Sequence, residues 1–219
     1  MTISLRSGWP QQDVTTLTAE MRPLEHSESD ESIVAEARTM GPDAFRPIFR
    51  RYSKPVLVFI YALIGDRDKA EELTQETFIR AYCRLHAIRT SSRFSTWLFG
   101  IARNVVREAI KAKYRNLRKA APYELLSPHL PDTGTRPDEQ VITEELHRMI
   151  QAALLRLPED QRLVFVLKLI TRMPYQEISG VTGASVGKLK TDLHRARRRL
   201  REELQPYLRG EFSRKRGGV

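Results

Sequence analysis

The densest chemistry in this 219-residue chain lies between Ser185 and Leu200. Lys188, Lys190, Thr191, Arg195, Arg197, Arg198 and Arg199 surround an apolar stripe of Val186, Leu189, Leu193, Ala196 and Leu200. The stripe suits the docking of a helix. The other faces carry ammonium and guanidinium groups, which reach guanine edges and phosphates in a DNA major groove. Ser185 stands where it can cap that helix and leave N–H groups near a phosphate. Ser185, Lys188, Lys190, Thr191, Arg195 and Arg198 are therefore candidate DNA contacts. A short helical pattern from Pro174 to Val181 and a turn at Gly183 come first, which makes the segment a helix-turn-helix. An ordinary basic helix on the surface of a bundle has the same composition, and these residues alone leave that reading open.

A second constellation has the opposite sign. Asp68, Glu72 and Glu76 follow one another at i, i+4 and i+8, with Gln75 on the same face. Such an acidic ridge meets a cationic partner or simply water. Chemistry of the covalent kind has no support. No Ser/His/Asp order, phosphate loop or HExxH is present. The five histidines lack metal-ligand spacing, and Cys83 is the lone cysteine. The neighbours Glu71 and Glu72 point in different directions on a helix. The expectation is no enzyme, no catalytic residue, no cofactor and no metal.

These side chains need helices to hold them. Asp30 opens a pattern carrying Ile33, Val34, Ala37 and Met40, which Gly41-Pro42 breaks. Asp43 starts the next, with Phe45, Ile48, Phe49 and Tyr52 inward and Pro55 near a kink. Gly65-Asp66 is a stop. A third helix is expected over 68–85, with Ala70, Leu73, Thr77 and Ala81 inward. A fourth is expected over 95–113, where Trp97, Leu98, Ile101, Ala102 and Val105 keep a 3.6-residue period. Residues 115–139 carry five prolines and glycines and little periodicity, as a linker does. Helical patterns resume over 138–157, 159–171, 174–181 and 185–204. No segment alternates with period two. The fold class is all-α, with two small helical domains joined by a flexible linker, the C-terminal one containing the helix-turn-helix. The domains are 29–114 and 140–207. A disordered acidic tail, 1–28, precedes them and a basic tail, 208–219, follows.

Charge follows the same division. Residues 1–40 are net −4, 41–119 net +10, 120–156 net −3 and 157–219 net +7. Two separated basic blocks favour a bipartite nucleic-acid binder. No stretch approaches the roughly 20 apolar residues of a membrane span. The first 20 residues lack a signal-peptide pattern. A single cysteine suits a reducing compartment. The expected setting is cytoplasmic, with no membrane insertion.

The run LPEDQRLVFVLKLITRMPYQEISGVTGASVGKLKTDLHRARRRLREEL resembles the C-terminal domain of the sigma-70 family, which reads the −35 promoter element. Leu157-Pro158, Arg162, Tyr175-Gln176-Glu177-Ile178, Gly183, Ser185, Gly187 and Arg195-Ala196-Arg197 carry the match. Lys188-Leu189 departs from the family's usual Thr-Val, and Ser179-Gly180 from a small apolar pair. Gly180 weakens its helix by up to ~1 kcal/mol against alanine. Residues 66–78, DRDKAEELTQETF, are similar to the family segment that binds the coiled coil of the largest RNA polymerase subunit. The resemblance makes Glu72, Gln75 and Glu76 the polymerase contacts. Residues 94–104, FSTWLFGIARN, resemble its −10 segment. Capture of a melted strand needs aromatic faces, phosphate-tracking cations and a donor for an extruded base edge. By that resemblance Arg93, Arg103, Asn104, Arg107 and Lys111 face the −10 strand, with Asn104 at a base. Trp97 reads as core.

The resemblance covers about 30–114 and 140–204 and implies the extracytoplasmic-function (ECF) group. Its implied partners are core RNA polymerase, promoter DNA and an anti-sigma factor. A DNA-binding regulator that acts without polymerase is the alternative. It leaves 68–104 unexplained.

Overall fold

The computed structural model describes Ala35 and residues 42–88, 93–119 and 138–208. The tail 1–28, nearly all of the helix expected from Asp30, linker residues 120–137 and the tail from 209 lie outside the described residues. Every regular element within them is helical. A 3-10 turn, Pro42–Phe45, leads into α1 (Arg46–Ile64). Then come α2 (Arg67–Arg84), a 3-10 turn Leu85–Ala87 and α3 (Phe94–Lys119). The second group is α4 (Asp138–Arg156), α5 (Glu159–Phe165) running into a π-helical turn Val166–Ile170, α6 (Tyr175–Thr182) and α7 (Val186–Leu208).

Local chemistry sets these boundaries. Asp43 lies in the 3-10 turn rather than opening α1, which begins instead with a proline in its first turn. Proline there forfeits only a hydrogen bond that no helix start makes. Gly65 and Gly183, both at φ 75°, end α1 and α6 in the left-handed conformation. Asp66 then caps α2, its Oδ1 accepting from the Lys69 amide at 2.9 Å. The 159–171 segment is not the single α-helix its period suggests. The ladder widens at Val166–Ile170, and Arg172 turns out at φ 56°. Arg162 explains one residue of the LPEDQR run. Its Nη1 donates to the Leu155 carbonyl at 3.1 Å, near the end of α4, where helix carbonyls lack partners.

The core explains how the groups sit. The second half of α1 is apolar nearly all round: Pro55, Val56, Leu57, Val58, Phe59 and Ile60 are consecutive and all buried. A helix with no polar face must be covered on every side. α2 and α3 cover one side, with Phe59 edge-on to Phe99 at 5.2 Å and Tyr52 edge-on to Phe94 at 5.2 Å. α4 and the π turn cover another. Leu163, Val164, Val166, Leu167, Met173, Ile178, Val181, Leu189 and Leu193 thus share one continuous core with the first group. A smaller cluster, Ala153, Leu154, Leu157, Ala196 and Leu200, ties α4 to α7. α2 buries Thr74 and Thr77 without an unmet donor, since their hydroxyls donate to the Ala70 and Leu73 carbonyls at 2.7 Å.

Candidate nucleic-acid interface

α7 is seated by the expected stripe. Leu189, Leu193, Ala196 and Leu200 are buried. Ser185 is its cap, with Oγ accepting from the Lys188 amide at 3.3 Å. Ser185, Lys188, Lys190, Thr191, Arg195 and Arg198 are all exposed. Lys188, Thr191, Arg195 and Arg198 recur at the spacing of one helix face. Some of this charge is already engaged. The Lys188 ammonium donates to Asp160 at 2.7 Å and to Asp192 at 2.6 Å, and these bonds hold it above the ordinary lysine range. Lys190 lies 5.9 Å from the ring centre of Tyr175. Arg198 stands 3.7 Å from Glu202.

The acidic ridge on α2 is less acidic than its sequence. Lys69 donates to Glu72 at 2.7 Å. Arg80 Nε donates to Glu76 at 2.7 Å, and Arg80 Nη1 pairs with Glu108 of α3 at 2.7 Å. Those bonds raise the Arg80 guanidinium further above its usual value. Glu72 is exposed; Gln75 and Glu76 are half-buried. Sequence reasoning missed Ile79, 51% exposed on this surface. Its signal was an apolar residue one turn on from Gln75 and Glu76. Cys83 is exposed too.

The α3 residues meet another environment. Asn104 and Lys111 face solvent. Arg93 is bonded to Glu177 of α6. Arg103 is half-buried, its Nη1 donating to the Val181 carbonyl at 3.2 Å. Arg107 stands 3.7 Å from Glu159. Trp97 is partly buried against the core and Phe94, as expected of it. Tyr114, 66% exposed near Lys111, Lys113 and Arg115, was also missed. An aromatic off the apolar stripe of a basic helix was the available sign, and it is what a stacking platform looks like. Among the described residues no group of three or more His, Cys, Asp or Glu could hold a metal ion. None of their helices is long and apolar enough to cross a membrane.

An all-helical chain with a seated basic recognition helix and a second, aromatic and basic helix is of the nucleic-acid-binding class. Residues 48–116 match the family described as Sigma-70 region 2, and residues 147–200 that described as Sigma-70, region 4. The ECF RNA polymerase sigma factor SigW of Bacillus subtilis is 34% identical over 177 residues, 78% of this chain and 95% of that one. The chain belongs to the ECF group of the sigma-70 family. Two solved structures share its fold. CnrH, in complex with the cytosolic domain of CnrY, has a TM-score of 0.62 at 22% identity, covering 81% of this chain and 98% of that one. The sigma factor RpoE in complex with the anti-sigma factor NepR, from Bartonella quintana, has a TM-score of 0.60 at 24% identity, covering 75% and 98%.

Proposed function

We propose that this chain directs core RNA polymerase to promoters, reads a −10 and a −35 element, and promotes opening of the duplex. It performs no covalent chemistry. The observation that carries the reading is the order of the two matched regions in one chain, the second ending in an exposed basic recognition helix. Glu72, Gln75 and Glu76, with Ile79 beside them, bind the polymerase. Arg93, Arg103, Arg107, Lys111 and Tyr114 hold the melted −10 strand, and Asn104 hydrogen-bonds a base. Ser185, Lys188, Lys190, Thr191, Arg195 and Arg198 dock at −35. Residues 29–114 and 140–207 act as the two functional units. An anti-sigma factor is the regulatory partner class, supported by the fold likeness to the sigma factor RpoE solved with the anti-sigma factor NepR.

The test is transcription by core polymerase on genomic fragments, with and without the chain. Start sites that depend on the chain, with permanganate-reactive thymines just upstream of each, are expected. Absence of any chain-dependent start site would contradict the reading.

A further inference from the structure

Most glycines in and around the described helices have a reason inside the fold. Gly65 and Gly183 take φ 75°, a conformation that L side chains rarely adopt. Gly180 lets α6 lie close to α3: a Cβ there would stand 2.7 Å from Thr96 Cγ2, closer than real contacts allow. Gly187 lies in the first turn of α7, outside the helix interior. Gly100 is different. It stands well inside α3, in regular helix, and its φ is not positive. A Cβ there would meet nothing within 4 Å. Alanine would therefore fit, and glycine in its place shifts the folding equilibrium about fivefold toward the unfolded state. The fold gains nothing in return.

The surroundings supply a reason. Helix positions four, seven and eleven apart share a face, so Gly100 shares one with Asn104, Arg107 and Lys111. All three are exposed. Side chains lean toward the N-terminus of their helix, so Asn104 leans toward residue 100, ~6 Å away along the axis. Yet, chain neighbours apart, no other side chain comes within 4 Å of that Cβ position. The result is a notch floored by bare helix backbone, with a carboxamide at one end and two cations beyond it. A nucleobase has a flat face that packs on such a floor. Its edge carries the donors and acceptors that a carboxamide matches. The phosphates beside it suit the two cations.

We propose, resting on the reading of α3 as the strand-binding helix, that Gly100 is the floor of a seat for one base of the melted strand. The base lies on the helix backbone at residue 100 with its edge on Asn104, and a side chain at this position takes its place.

The test pairs stability with binding in the full chain. Gly100→Ala and Gly100→Leu are compared with the native chain by urea unfolding and by affinity for a fluorescein-labelled random-sequence DNA strand, alone and with core polymerase. The same sugar–phosphate strand without bases is the control. Gly100→Ala should raise the folding equilibrium constant about fivefold. It should nevertheless bind the strand about tenfold more weakly, the scale of one base contact. Gly100→Leu should bind more weakly still, and both variants should bind the abasic strand as the native chain does. A stabilised Gly100→Ala with native strand affinity overturns the seat. Equal weakening on both strands overturns it too, since sugar and phosphate rather than a base would then lie at residue 100. So does a Gly100→Ala no more stable than the native chain, because the glycine then serves the fold. Absence of strand binding by the native chain, even with core polymerase, instead removes the strand reading of α3 and the seat with it.

Discussion

Along α7, Lys188, Arg195 and Arg198 face solvent, and the ion pairs found for Lys188 and Arg198 stay within the C-terminal group. At α3, Arg93 just before the helix and Arg103 and Arg107 along it reach across to that group. Both helices are basic and amphipathic, so the difference is one of geometry. α7 needs only its apolar stripe seated to present its cations to solvent. The cations at and along α3 are instead engaged by the C-terminal group. On the proposed function, the first face is the one that docks on duplex and the second the one that holds the strand.

The sharpest way to break this comparison is to unseat α7. Leu193→Ala removes a buried side chain from the shared core and should destabilise the chain by about 2–5 kcal/mol. Urea unfolding reads it, and a loss below about 0.5 kcal/mol, typical of surface sites, would mean the stripe does not seat the helix. Next in size is Arg195→Ala, which should lower affinity for −35 duplex by about 1–3 kcal/mol, roughly fivefold to 150-fold. Arg103→Ala removes a proposed strand contact and should lower affinity for a single strand by about tenfold. Unchanged strand affinity would mean that Arg103, bonded to the Val181 carbonyl, does not reach the strand.

Salt separates the faces further. Duplex binding by the free chain should fall with a log–log slope of about −0.9 for each phosphate that α7 contacts. The smallest effect concerns Lys188. Asp160→Asn removes one of its two carboxylate partners and should tighten −35 duplex binding by about twofold, the scale of an exposed ion pair. Unchanged affinity would mean that Lys188 does not reach DNA.

Much of this was legible in the sequence because it rests on local rules. The Gly65-Asp66 stop, the Ser185 cap and the α7 stripe each depend on residues within a turn or two of one another. The π turn at Val166–Ile170 was not legible, because the apolar period there is satisfied by an uninterrupted helix as well. Nor was the engagement of Arg80 by Glu76 and Glu108, since the second contact crosses between helices. Gly180 shows the limit most clearly. Within its own helix it reads only as a weakening; its reason is Thr96, 84 residues earlier in the chain. The apolar run through residues 55–60 did carry a hint, since a helix without a polar face requires a second body to cover it.

The most direct test of the central claim is an equilibrium titration of the fluorescently labelled full chain with core RNA polymerase. It is repeated with Glu72, Gln75 and Glu76 each changed to Lys, after matching unfolding curves establish that the variant folds. Tight binding by the native chain, lost in the variant, is the expected result. No binding by the native chain, together with strong duplex-DNA affinity of the free protein, would contradict it and leave a DNA-binding regulator that acts without polymerase.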